Sequence, residues 1–228
     1  MTKVYPNAAA AATATAVAIT KAADAPAPSS DGHDSSVLTV WKKSLLFNCN
    51  GFTVYDGKGN LVYRVDNYMQ GNRGEIVLMD AAGKPLLTIR RKRLSLGDNW
   101  LVYDGETDVN PRLSVRKHVN ILSTKCLAHV TPTASYVNNN SSSPSSSSNN
   151  NKKAMYEIEG SYSQRSCAVY DGKKRRVAEI KRKEAVGGVA LGVDVFRLIV
   201  EPEMDATVAM ALVILLDQMF GSSRRFSS

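Results

Sequence analysis

The chain has 228 residues, 43% hydrophobic and 7% aromatic, with a formal net charge of +8 and a pI near 9.4. That suffices for one buried core and favours acidic partners, phospholipid headgroups or nucleic acid, while leaving little aromatic material for base-stacking platforms. Cys49, Cys126 and Cys167 are odd in number, far apart and in no C-x-x-C spacing, which indicates neither a disulfide framework nor a zinc site and fits a reducing, intracellular compartment.

Residues 1 to about 36 are low-complexity Ala, Thr, Pro and Ser, too poor in large apolar side chains to offset their own ordering entropy, and are expected to be a disordered leader. They contain no continuous apolar segment of the secretory type. The first twenty lack acids but also lack arginine, so an organelle transit peptide stays open.

From Val37 onward a short pattern recurs: Thr53-Val54-Tyr55-Asp56-Gly57, Ile76-Val77-Leu78-Met79-Asp80, Leu101-Val102-Tyr103-Asp104-Gly105 and Ala168-Val169-Tyr170-Asp171-Gly172. The first, second and fourth are followed within a few residues by another apolar run, Leu61 to Val65, Leu86 to Ile89 and Val177 to Ile180. Strand, turn, strand is the reading, with Asp and Gly expected to supply the positive φ of the tight hairpin turns. Twelve strands are predicted, near Val37, Phe52, Leu61, Ile76, Leu86, Trp100, Leu113, Leu127, Met155, Cys167, Val177 and Val195. An Asn/Ser run over about 137–153 interrupts them and reads as a long solvated loop.

After the last strand, Met204 to Phe220 reads as a helix apolar on every face. Such a helix is buried in protein or in a membrane. The charge-free stretch from Ala206 to Leu216 is well short of the roughly 20 residues that span a bilayer. Burial of Val208, Met210, Leu212, Val213, Ile214, Leu215 and Leu216 is worth about 1.5 to 3 kcal/mol each, which calls for a sheet wrapped around them. A barrel of eleven or twelve strands has room for a helix about 10 to 12 Å across, so strand count and helix explain one another. Residues 221–228 form a basic, serine-rich tail.

The run Ile76 to Lys92, the segment Asn99 to Glu106 and the closing Asp205 to Gln218 helix together resemble the LURP-one-related proteins of plants, over roughly Val37 to Phe220. The resemblance implies a mainly β, tubby-like fold over 37–220: a closed antiparallel barrel of twelve strands around a C-terminal helix, as in tubby proteins and phospholipid scramblases. It also implies a plant source and, from the pathogen-responsive expression behind the family's name, a connection with defence. Two departures stand out: an acid, Asp104, lies where the family usually carries a basic residue, and the Asn/Ser insertion is unusually long.

The strongest chemical features are two basic clusters. Lys84, Arg90, Arg91, Lys92 and Arg93 form one, and Lys173 to Arg176 with Lys181, Arg182 and Lys183 the other. Side chains alternate along a strand, so a strand continued past Ile89 would drive Arg91 and Arg93 into the core; it must end, bend or reach the rim near Arg90. From there Lys84, Arg90, Arg91, Lys92, Arg93, Lys181, Arg182 and Lys183 are candidates for gripping phosphate headgroups, Arg with paired donors and Lys as a point charge. The bland alternative is ordinary solvated charge. Arg90 to Arg93 and Lys173 to Arg176 also match nuclear-localisation runs, a pattern of low specificity.

Catalytic signals are weak. His33 lies in the leader, while His118 and His129 follow or occupy strands, where structural hydrogen bonding is the commoner role. No nucleophile elbow or phosphate loop is present. The expectation is a monomeric, non-enzymatic protein without cofactor or metal, cytoplasmic or peripheral to a membrane with nuclear entry open. Its partners would be anionic lipids or a signalling protein rather than specific nucleic acid. A scramblase-like insertion of the helix is the remaining alternative.

Overall fold

The computed structural model describes residues 35–46, 50–67, 74–92, 95, 97–119, 125–133, 154–184 and 192–221. The predicted leader as far as residue 34, the Asn/Ser run, Cys49, Arg93 and residues 222–228 lie outside them. Twelve strands follow in order: β1 (Ser36–Trp41), β2 (Asn50–Tyr55), β3 (Leu61–Asn67), β4 (Glu75–Asp80), β5 (Pro85–Arg91) and β6 (Asn99–Asp104), then β7 (Leu113–Lys117), β8 (Cys126–Pro132), β9 (Tyr156–Ser161), β10 (Ser166–Asp171), β11 (Arg176–Arg182) and β12 (Val195–Val200). One helix, α1 (Ala206–Phe220), comes last. Every predicted strand is present, the ninth beginning one residue after Met155.

Each strand pairs antiparallel with its neighbours in sequence, and β1 closes the barrel on β12 with Ser36 opposite Val200 and Trp41 opposite Val195. Period-two alternation decides which side chains face inward. Leu38 and Val40, Phe52 and Val54, Ile76 and Leu78, Leu87 and Ile89, Trp100 and Val102, Leu113 and Val115, and Phe196, Leu198 and Val200 are all buried. Closure leaves no unpaired edge.

The helix fills this interior. From Val208 to Leu216 no residue is more than 4% exposed. Asp205 caps its N-terminus, Oδ1 accepting from the Thr207 backbone N–H at 2.8 Å, and Arg112, just before β7, ties that end to the wall at 3.4 Å from Asp205 Oδ2. At the other end Lys117 Nζ donates to the Met219 carbonyl at 3.2 Å, and Lys42 Nζ lies 2.9 Å from Asp217 Oδ1. The helix has no basic residue in its last turn, so strand lysines supply the cations that its carbonyl end favours.

The repeated aspartate motif is the barrel's hairpin device. In β2–β3, β4–β5 and β10–β11 the ladder register shifts just before the turn, and the aspartate carboxylate then accepts from turn backbone. Asp56 Oδ1 takes the N–H groups of Lys58 and Asn60, both at 2.8 Å; Asp171 Oδ1 takes those of Lys173 and Arg175 at 2.8 and 2.9 Å. The left-handed φ expected at the Asp-Gly pairs falls instead three residues after each aspartate, at Gly59, Gly83 or Lys174 (86°, 90° or 61°), because the carboxylate caps a longer turn. Asp104 differs because a longer connection, 105–112, follows it.

Because the strands strictly alternate, the barrel has two distinct rims. The aspartate turns and the helix N-terminus share one, the turn rim. The opposite rim holds the ends of the odd-numbered strands, the starts of the even-numbered ones and the helix C-terminus.

Candidate functional site

The basic clusters are distributed by this alternation rather than pooled. Lys84 directly precedes β5 at the turn rim, whereas Arg90 and Arg91 end it and Lys92 follows at the opposite rim; one strand therefore separates residues that the sequence places together. Lys181 and Arg182 end β11 and Lys183 follows it, on the same rim as Arg90 to Lys92. In a ring of twelve, β5 and β11 are six strands apart, so the two groups lie on opposite sides of the barrel.

Around Arg90 the outer wall forms a pocket of about 490 Å³ lined by Gly74, Glu75, Arg90, Arg91, Lys92, Leu101, Tyr103 and Asp108. β5 ends at Arg91, which keeps that side chain out of the core and half exposed. Arg90 Nε donates to Glu75 Oε2 at 2.9 Å, its other nitrogen lies 3.8 Å from Asp108, and its guanidinium stacks 5.5 Å from the Tyr103 ring centroid. Arg91 donates to Asp98 at 2.8 Å. Lys92 is exposed and, among the described residues, has no acidic partner. Two of the three cations are thus already balanced by acids in the resting protein.

On the far side Lys181 lies 3.0 Å from Glu179, Arg182 Nε donates to the Gln164 carbonyl, and Lys183 donates to Thr39 Oγ1 at 3.3 Å. Lys183 there lines a second groove with Val37, Tyr55 and Arg197.

What sequence reasoning missed is the company these cations keep. Trp41, Leu45, Val119 and Val193 are exposed at 40%, 50%, 84% and 51%. Each adjoins a strand terminus on the rim opposite the turns: after β1, after β7 or before β12. Lys42 and Lys43 follow β1 there, and Lys125 precedes β8. Lys43 Nζ sits 5.1 Å from the Trp41 ring centroid. The turn rim carries the aspartates, and with them the exposed Lys58, Lys84 and Lys173 to Arg176 and the exposed Val37, Val109 and Met155, but no exposed tryptophan among the described residues.

The same rim gathers His118, Cys126 and His129 on its outer wall. The sequence offered no such cluster, because its members come from two strands and Cys126 and His129 are three residues apart, a spacing that alternation sends to opposite faces. Burial pushes the Cys126 thiol up to about 11, helped by Glu157. Glu157 itself is held below its ordinary range by Lys174, whose ammonium lies 2.5 Å away.

A LURP-one-related family profile matches residues 36–217, almost the whole barrel and helix. The chain belongs to the LURP-one-related family. This LURP-one-related protein is 57% identical over 197 residues to Protein LURP-one-related 8 of Arabidopsis thaliana, covering 85% of this chain and 91% of that one. It is 43% identical to Protein LURP-one-related 17 of the same plant, covering 83% and 85%. A solved X-ray structure of another Arabidopsis thaliana protein superposes with a TM-score of 0.55 at 23% identity, covering 81% of this chain and 91% of that one. At that identity the match bears on the fold alone, and it agrees with the barrel described above.

Proposed function

We propose that this LURP-one-related protein is a non-catalytic module that sets the rim opposite its turns against an anionic membrane surface and engages phosphoinositide-type headgroups there. The observation that carries this reading is the shared placement of exposed apolar side chains, Trp41, Leu45, Val119 and Val193, with the cations Lys43, Lys92, Lys125 and Lys183. A tryptophan at headgroup level beside lysines is the chemistry of a protein resting on a bilayer. Each lysine near an anionic leaflet contributes about 1 kcal/mol. Arg90, Arg91 and Lys181 contribute less until a phosphate displaces their acidic partners. No helix among the described residues is long and apolar enough to cross a membrane, which favours resting on the surface over helix insertion.

The test is co-sedimentation of the full chain with phosphoinositide, phosphatidylserine and neutral vesicles at two salt concentrations. The expected result is binding to anionic vesicles that weakens with salt, is lost when Lys43, Lys92, Lys125 and Lys183 become Ala, and is reduced by Trp41→Ala. Selectivity for phosphoinositide over phosphatidylserine, abolished by Arg90→Ala with Arg91→Ala and Lys92→Ala, supports the pocket as the headgroup site. Absent or charge-indifferent binding overturns the reading and leaves a protein-interaction scaffold.

A further inference from the structure

We propose that His118, Cys126 and His129 form a binding site for a borderline-soft divalent metal ion of the zinc type, clipping the end of β7 to the start of β8. The site is made by a bulge. Ala128 pairs with Ile158 but Cys126 pairs with Glu159, so Leu127 is an extra residue in the ladder. The bulge reverses the alternation, and Cys126 turns outward with His129 while Ala128 stays fully buried. His118, just past β7, is held beside them by its backbone N–H, which donates to the Leu127 carbonyl at 2.8 Å. Three potential ligands from two strands therefore share one patch of wall, with all three ligand atoms within 4.8 Å of one another.

The distances suit a metal. Zn–N bonds of about 2.0 to 2.1 Å and a Zn–S bond of about 2.3 Å at tetrahedral angles separate nitrogen from nitrogen by about 3.3 Å and nitrogen from sulfur by about 3.6 Å. His129 Nε2 lies 3.6 Å from Cys126 Sγ and 2.9 Å from His118 Nδ1. The first separation needs no change; the second opens by a few tenths of an ångström, a small rotation of one imidazole. The rings already meet edge to face at 73°, with centroids 5.0 Å apart.

The cluster's own hydrogen bonds run through His118 Nδ1 and leave the other ring nitrogen, Nε2, buried without a partner. Carboxylates also surround the thiol: Glu159 faces Cys126 across the ladder, and Glu157, the cross-strand neighbour of His129, accepts the Cys126 thiol proton in a hydrogen bond. Lys174 pairs with both carboxylates, at 2.5 and 3.4 Å, and Glu157 between Lys174 and the thiol is placed to orient the ligand set. One thiolate and two imidazoles select zinc-class ions over magnesium or calcium, which want oxygen.

The experiment is titration of the chelator-stripped full chain with Co²⁺ as spectroscopic probe, followed by Zn²⁺ displacement. Saturation at one equivalent is expected, with a thiolate-to-cobalt charge-transfer band, intense tetrahedral d–d absorption and a rise in melting temperature on adding Zn²⁺. Cys126→Ser abolishes the charge-transfer band, and His129→Gln weakens binding about 100-fold or more. Cys167→Ser leaves both unchanged, and circular dichroism checks that each variant is folded. Failure to saturate at one equivalent, or a charge-transfer band that survives in Cys126→Ser, overturns the proposal.

Discussion

Lys117, the last residue of β7, donates through its ammonium to the carbonyl of Met219, the penultimate residue of the helix. Its Nζ also lies 4.6 Å from the Phe220 ring centroid. A barrel strand thereby supplies both the charge and the donor that the helix end lacks. Lys117→Met keeps the apolar stem and removes these contacts. It is expected to cost about 1 kcal/mol. In a chain of this size that lowers the melting midpoint by about 2 to 4 °C, readable by thermal unfolding.

Ile214 is fully buried on the central helix. Ile214→Asp places a charge in the helix's buried, largely apolar surroundings, at a cost comparable to the about 5 to 15 kcal/mol that holds a whole domain together. Loss of the cooperative transition is expected by circular dichroism. Ile214→Val should cost only about 0.5 to 1.5 kcal/mol. An Ile214→Asp protein that unfolds normally and merely loses vesicle binding would falsify the enclosed-helix architecture.

Gly160 sits in β9 at φ +115°, and a Cβ there would fall 2.2 Å from the Ser166 carbonyl oxygen. Gly160→Ala is expected to destabilise by about 2 to 4 kcal/mol through strain and displacement of the ladder. Gly57→Ala is the matched control. Nothing lies within 4 Å of its Cβ position, so a change within about 0.5 kcal/mol is expected. Urea midpoints of the two variants should separate accordingly.

Burial pushes the Cys167 thiol from 9.0 up to about 12, only partly offset by Arg165. Burial, and then Asp217, also push the Tyr162 phenol up. In both cases the folded protein holds its proton more tightly than the unfolded chain does. For Cys167 that contribution to stability is complete below the ordinary thiol value and is lost as pH rises toward about 12. Urea midpoints should therefore decline on the alkaline side, and Cys167→Ala should flatten the decline. A midpoint that is level, or that rises with alkalinity, contradicts the assignment.

The barrel was legible because its determinants are local. Alternation in runs such as Leu87-Thr88-Ile89 and turn aspartates such as Asp56 and Asp171 recur often enough to count strands, and the all-round apolar helix demanded a ring to hold it. Placement of charge was not local. Lys84 and Arg90 look like one cluster in the sequence but lie at opposite ends of β5, and only the strand direction reveals it. Arg165 was missed for a similar reason: it is 6% exposed, with a left-handed φ of 53°, and its guanidinium stacks 4.2 Å from Tyr162 and 4.4 Å from Phe196. Nothing in the run Ser163-Gln164-Arg165-Ser166 distinguishes it from a solvated turn. The convergence of Cys126 with His129 depends on a bulge, which period-two reading would misplace.

The helix comes after all twelve strands in the chain. During synthesis on a ribosome the wall is therefore complete before anything exists to fill it, and the β1–β12 seam joins residues more than 150 positions apart. The half-made molecule is a curled sheet with a greasy inner face. Closure must await the final segment, so folding is a late, nearly all-or-none event that depends on prolonged protection of that face. A chain interrupted a single helical turn early would lose Met219 and Phe220, the residues against which the rim closes.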